Sequence, residues 1–110
     1  MWLYTTSGFL SVVQHNSMPN HFQIKARVPS PLQELWPSQE IEIIDWADYR
    51  YRITIEKSEA LPVLLKLMEE IEYTSFKNAC SKEGIYHTVL ARIWNIMYTY
   101  QSKMESLFNE

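Results

Sequence analysis

The sequence predicts an α+β fold: an N-terminal antiparallel sheet of about five strands, packed by C-terminal helices on one face. Residues 1–57 are rich in aromatic and β-branched residues that alternate with polar ones, as strands do. Residues 58–110 carry apolar residues at helical spacing. The 110 residues fit one domain, and a hydrophobic content of 46% is enough for a core. We therefore expect a single domain, mainly β over 1–57 and mainly α over 58–110.

Turn signals separate the predicted strands. Ser7-Gly8 separates the first two, and a polar loop over residues 15–20 precedes the third. Prolines bracket Leu32–Trp36, for which we expect a single helical turn. The predicted strands are Trp2–Thr6, Phe9–Gln14, His21–Val28, Glu40–Asp45 and Tyr49–Lys57.

Three helices are predicted in the second half. Ser58 is a candidate N-cap for the first, although Pro62 favours a start one or two residues later. Thr74 or Ser75 is expected to cap a short helix from Phe76 to Ser81. A longer helix is expected to begin between Glu83 and Tyr86 and to run toward Leu107. The predicted core face of the first helix consists of Leu61, Leu64, Leu65, Met68 and Ile71.

The segment Tyr49-Arg50-Tyr51-Arg52 gives the strongest hint of function. In a strand, side chains alternate, so both arginines should share one face while the tyrosines lie in the core under the helices. Two guanidinium groups about 7 Å apart favour bidentate binding of a phosphate or a carboxylate. The segment therefore indicates an anionic ligand.

Lys25 and Arg27 are expected on the same open sheet face as Arg50 and Arg52, unless a partner subunit covers that face. These four cations could converge on phosphates. Alternatively, they could cover an exposed face and pair with glutamates of neighbouring strands. Strand order decides between the two, and the sequence leaves it open. The candidate glutamates are Glu40, Glu42 and Glu56.

Two further groups of candidate ligand residues lie in the helical half. Phe76 and Lys77 bring a ring and an ammonium group to a helix start, where backbone N–H groups favour anions; Phe76 could equally be a core residue. On the last helix, Arg92 and Asn95 lie off the apolar stripe, which we expect to contain Leu90, Trp94 and Met97. The number of Trp, Tyr and Met residues predicts an oligomer that buries surplus apolar surface, with the long helix as its interface.

Composition argues against several classes of function. The net charge of −3 argues against non-specific binding to long nucleic acids. One cysteine permits no intramolecular disulfide, and no glycine-rich phosphate loop or zinc-ligand spacing occurs. The chain has no stretch of about 20 apolar residues and no signal-peptide pattern. We expect a cytoplasmic protein that is not an enzyme and needs no cofactor or metal.

Several segments together resemble a widespread, uncharacterised group of short bacterial and phage proteins. That group opens with a similar strand followed by a Gly-Phe-x-Ser-x-Val-Gln-His pattern. The resemblance spans nearly the whole chain. It implies a fold but little about function, because most members of the group carry no assigned activity. It rests on Met1–His15, Lys25–Val28, Ala47–Arg52, Tyr73-x-x-Phe76-Lys77 and Arg92–Tyr98.

The chain also resembles the Thoeris anti-defence sponge family of phages. Members of that family bind cyclic ADP-ribose-type signals without cleaving them and assemble as dimers or higher oligomers. Some also hold cyclic oligonucleotides at a separate site. The resemblance implies that Arg27, Arg50 and Arg52 meet phosphates, that Phe76 stacks on the adenine, and that Arg92 or Asn95 contributes from the last helix.

The expected function is sequestration of an anionic, nucleotide-like signalling molecule by an oligomer in the cytoplasm, which is the host cytoplasm if a phage encodes the protein. Two other classes stay open. One is a protein-interaction module, such as an inhibitor of a host enzyme. The other is an enzyme that cleaves a nucleotide.

Overall fold

The computed structural model describes residues 1–108 and has an antiparallel five-stranded sheet followed by helices. This confirms the predicted α+β class. The chain divides into two compact units, one comprising Met1–Glu72 and the other beginning at Tyr73. The expectation of a single domain over 1–110 stays a prediction, and its last two residues lie outside the described part of the chain.

The sheet has the strand order β1-β2-β3-β5-β4. Each neighbouring pair of strands is antiparallel. The third, fourth and fifth strands are shorter than predicted, because residues 27–29 turn away into a helix and a bend occupies residues 45–49. The strands are β1 (Trp2–Thr5), β2 (Gly8–Gln14), β3 (His21–Ala26), β4 (Glu42–Ile43) and β5 (Tyr51–Glu56).

One face of the sheet packs against helices and forms most of the core of the first unit. Leu10, Ile24 and Ile53 are almost fully buried, and in β3 and β5 the buried residues alternate with partly exposed polar ones. Helix α1 (Ser30–Leu35) packs against β2, and helix α2 (Lys57–Glu69) packs against β3 and β5. Leu32 of α1 and Ala60 of α2 complete this core. The opposite face carries the candidate site.

Gly8 fixes the turn between β1 and β2. Thr5 pairs with Gly8, so the turn consists of two residues. Gly8 has a φ of 136°, which residues with a side chain rarely adopt. A Cβ atom at Gly8 would also lie 3.0 Å from Pro31 Cγ of α1. The glycine therefore permits both the turn and the close approach of α1.

Helix α2 begins earlier than predicted. Its first residue is Lys57, and Glu56 occupies the N-cap position without a side-chain hydrogen bond, so Ser58 is not the cap. The Lys57 N–H donates instead to the carbonyl of Asn20, at 2.9 Å, so a tertiary contact sets the start. Pro62 lies inside the helix, which costs the structure one backbone hydrogen bond.

The predicted core face of α2 is confirmed at Leu64 and wrong at its other positions. Val63 and Leu64 pack against the core, whereas Leu61, Leu65 and Met68 are 51%, 58% and 69% exposed. The helix carries two apolar stripes, and helical spacing alone does not say which one meets the sheet. Only the path of the chain out of β5 decides it.

The second unit contains helices α3 (Phe76–Ala79) and α4 (Gly84–Phe108), which pack against each other. Ser75 caps α3 as predicted, since its hydroxyl accepts the Asn78 N–H at 3.3 Å. Cys80 is buried here, and burial raises the pKa of its thiol, helped by the nearby Glu83 carboxylate. Of the helices in the described residues, none is both long and apolar enough to span a bilayer.

Candidate anion-binding site

A row of five residues crosses the sheet on the face opposite the core. The register places one residue of each strand in this row, with Lys25 of β3 directly opposite Arg52 of β5. The sequence could not predict this pairing, because it depends on β5 inserting beside β3. In order across the sheet, the row is Trp2, Ser11, Lys25, Arg52 and Glu42.

The centre of the row holds two cations side by side without a counterion. Like charges directly opposite each other in a sheet destabilise it. Among residues 1–108, neither Lys25 nor Arg52 forms an ion pair, and Glu42 forms none with Arg52 although the two are in register. The protein therefore maintains an unfavourable pair of charges that an anion would neutralise.

Arg52 is held in place while part of its guanidinium group stays unsatisfied. Its Nη2 donates to the Tyr49 carbonyl at 3.0 Å, which fixes the direction of the side chain. Its Nε is buried and has no hydrogen-bond partner in the described residues. A buried donor without an acceptor costs free energy.

Arg27 lies close to this row but has partners of its own. Strand β3 ends at Ala26, and the Arg27 guanidinium lies 4.3 Å from the centroid of the Tyr49 ring. Its Nη1 contacts both the carboxylate and the carbonyl oxygen of Asp48, each at 3.2 Å. Arg27 is therefore committed to the bend before β5.

Arg50 lies outside β5, so it does not share a strand face with Arg52 as predicted. Strand β5 begins at Tyr51, so strand alternation does not extend to Arg50. Its Nε lies 3.5 Å from the carboxylate of Asp45, and the side chain is 52% exposed. The bend over 45–49 provides carboxylates close by, so Arg27 and Arg50 pair with aspartates and not with the glutamates expected from neighbouring strands.

Aromatic rings adjoin the cationic row on the same face. Phe9 contacts Trp2 at 5.8 Å, Tyr4 at 4.8 Å and Tyr49 at 6.3 Å between ring centroids. Tyr49 was expected in the core under the helices, and this is wrong, whereas Tyr51 does pack against the core. Period-two alternation from Trp2 to Tyr4 would have revealed the aromatic side of this face.

The remaining predicted site residues lie in the second unit. The ring of Phe76 is 5.8 Å from that of Tyr73, and Lys77 Nζ lies 5.2 Å from the centroid of Trp94. Arg92 is exposed and has no ion pair among the described residues. The Asn95 carbonyl accepts the Thr99 hydroxyl, at 3.1 Å. These contacts bring Lys77 to α4 but assemble no closed pocket.

Two histidines near the end of the sheet contact their own turns, and the Ser17 hydroxyl lies 3.4 Å from His15 Nδ1. The His15 ring accepts the backbone N–H groups of Ser17 and Met18 at 3.1 Å, so it stabilises its own turn. His21 contacts the carbonyl of Pro19 at 2.8 Å. Within residues 1–108, no cluster of three or more His, Cys, Asp or Glu residues could hold a metal ion. What the row can do chemically is hold an anion.

Comparison with known proteins found no matching family profile, no matching curated protein and no matching solved structure. The charges and contacts of these residues are what indicate a ligand.

Proposed function

We propose that this protein captures an anionic, nucleotide-like small molecule without cleaving it. The observation that carries the proposal is the unneutralised pair of Lys25 and Arg52, directly opposite each other on the sheet face that lies across from the core. Capture requires charge-assisted hydrogen bonds and no general base. A phosphate would bridge the two cations and neutralise the repulsion between them.

A phosphorylated ligand fits this site better than a simple halide. A guanidinium group has donors in a planar fork that matches two phosphate oxygens, while an ammonium group acts as a point charge beside it. Trp2 lies in the same row and is 66% exposed, so an aromatic face is available near the cations. A nucleotide combines both of the groups that such a surface would bind.

The proposed ligand class is the cyclic ADP-ribose type, which the resemblance to the Thoeris anti-defence sponge family suggests. In this proposal the protein removes a signalling molecule from the cytoplasm of a phage-infected host, and it does so as a homo-oligomer. Phe76, Lys77, Arg92 and Asn95 remain proposed ligand residues of the second unit. Arg27 and Arg50 also remain proposed ligand residues, and each would have to exchange its aspartate partner for the ligand.

Isothermal titration with cyclic ADP-ribose isomers and with cyclic oligonucleotides tests the proposal. The unmodified protein should release or absorb heat with at least one of them, and Lys25→Met combined with Arg52→Met should not. Gln23→Met is the matched control, because Gln23 belongs to the same strand and face but carries no charge. The absence of heat and of any thermal shift with every ligand would refute the proposal.

The fate of the ligand separates capture from catalysis. After the complex is denatured, a sponge returns the intact molecule, whereas an enzyme returns cleaved product. Chromatography of the released nucleotide against a standard makes this distinction. Recovery of product in amounts exceeding the protein would replace the proposal with an enzymatic one.

A protein-interaction module is the second candidate, and exposed apolar side chains favour it. Trp46 is 90% exposed at the bend before β5, and Ile43 beside it is 60% exposed. Such residues serve as anchors in protein interfaces. A pull-down that returns one stoichiometric protein partner, with no small molecule retained, would favour this function. Trp46→Ser should then abolish binding of that partner.

A further inference from the structure

Helix α4 carries an uninterrupted heptad repeat. Two series of apolar residues recur every seven positions, and they alternate at spacings of four and three along the helix. This spacing is the pattern of a helix that packs along its length against another helix. The first series is Leu90, Met97 and Met104; the second is Tyr86, Ile93, Tyr100 and Leu107.

The structure covers only the first part of this seam. Leu90 is buried, and Ile93 is partly buried. Beyond them, Met104 is partly buried, whereas Met97, Tyr100 and Leu107 are 55%, 57% and 66% exposed. Trp94, which we expect either in the core or at a subunit interface, is 57% exposed. Within the described residues of the second unit, no helix thus covers the second half of this apolar seam.

We propose that the seam of α4 from Trp94 to Phe108 packs against the same seam of a second copy of this chain. The segment of α4 from Trp94 to Phe108 has 15 residues and spans about 22 Å, so the seam is long enough for four layers of side chains. The seam residues themselves carry no charge, so two copies meet without opposing like charges along it.

The flanking positions widen the apolar surface. Trp94, Ile96 and Phe108 lie directly beside the seam. In coiled-coil dimers the positions beside the seam usually carry charged residues. Lys103 is the charged residue among the flanking positions of this segment, so one cation per copy borders the interface. Trp94 stacks on Tyr98 at 5.7 Å between centroids and 13° between planes. Because this contact already orders the Trp94 side chain, association would cost less conformational entropy.

The exposed area is sufficient for a specific dimer. Three rings, Trp94, Tyr100 and Phe108, are 57%, 57% and 78% exposed. At about 200 Å² for each fully buried ring, they offer roughly 400 Å². Ile96, Met97 and Leu107 raise this to about 550 Å² in each copy. Two copies would bury about 1,100 Å², which exceeds the roughly 1,000 Å² that a specific interface needs.

Sedimentation equilibrium and native mass spectrometry of the purified protein test this interface. The chain has a mass of 13.1 kDa, and we expect a multiple of it at about 50 µM protein. Met97→Glu combined with Met104→Glu should weaken the association by at least about 100-fold, since both charges would enter the seam.

The control variant is Thr99→Glu combined with Ser106→Glu. It adds the same charges at the same seven-residue separation, but on the side of α4 away from the seam. It should keep the oligomer, and circular dichroism should show unchanged helix content in both variants. Equal dissociation of the two variants would overturn the proposal, because the effect would then come from charge alone.

A monomer in the unmodified protein would also overturn the proposal. A complex in which a different protein binds to α4, seen as a mass that is not a multiple of this chain's mass, would overturn it as well. The interface does not depend on the proposed ligand, since a protein that binds no nucleotide should still associate through α4.

Discussion

Replacing Lys25 by methionine should have opposite effects on stability and on binding. Lys25 is directly opposite Arg52 and has no hydrogen-bond or ion-pair partner among the described residues. Methionine retains most of the apolar stem and removes the repulsion. A directly opposed charge pair in a sheet contributes up to about 1 kcal/mol, and we take about 0.5 kcal/mol for this partly exposed pair. The unliganded variant should therefore unfold about 2–4 °C higher.

The salt dependence of that gain identifies its cause. At about 1 M salt the Debye length falls to about 3 Å, and the repulsion that the substitution removes is screened. The difference in melting temperature between Lys25→Met and the unmodified protein should therefore be present at low salt and disappear at high salt. Gln23→Met, on the same strand and face, should show no salt-dependent gain because no charge is removed.

Binding should change in the other direction. Inorganic pyrophosphate should stabilise the unmodified protein and should bind the Lys25→Met variant about 10–100-fold more weakly, because one charge-assisted contact is lost. A variant that is less stable than the unmodified protein, or equally stabilised at all salt concentrations, would refute the reasoning. It would show that Lys25 is a structural residue and not one of two neighbouring cations whose repulsion an anion would neutralise.

Three further substitutions or reactions test the scaffold. Gly8→Ala should lower the free energy of unfolding by more than about 1 kcal/mol in urea titrations, because the φ of 136° and the 3.0 Å approach of Pro31 both disfavour a Cβ atom. Ser75→Ala should cost about 1 kcal/mol through loss of the bond from the Asn78 N–H, and amide exchange in α3 should report it. Cys80 should react slowly with iodoacetamide at pH 8 and rapidly in urea, because burial raises the pKa of its thiol. The thiol is neutral at low pH, so its contribution to stability is present below the pKa of the unfolded thiol and is lost as the pH rises through the folded pKa.

Local chemistry made several features predictable. Strand alternation correctly placed Ile53 and Ile55 in the core, since one face of a sheet is buried and the period is two. The polar loop over residues 15–20 and the Ser75 cap were confirmed because each depends on residues adjacent in sequence. The α+β class followed from the change of period near residue 57.

Other features failed where a choice lay between equivalent local patterns. Helix α2 has two apolar stripes, and Leu61 and Leu65 belong to the one that does not meet the sheet. Tyr49 was assigned by continuing the alternation of β5, but the strand begins two residues later and the ring joins the opposite face. Neither outcome is encoded in spacing, because both depend on where a neighbouring element interrupts the pattern.

The candidate site divides in the same way. The sequence by itself determined that cationic residues would gather on a sheet face away from the core, since Lys25 and Arg52 alternate with buried residues of their own strands. Only the tertiary structure decided that these two stand opposite each other, while Arg27 and Arg50 are paired with aspartates of a nearby bend. The physical reason is that strand order and register are long-range choices. They are made by the packing of the whole core, and they bring together charges that lie far apart along the chain.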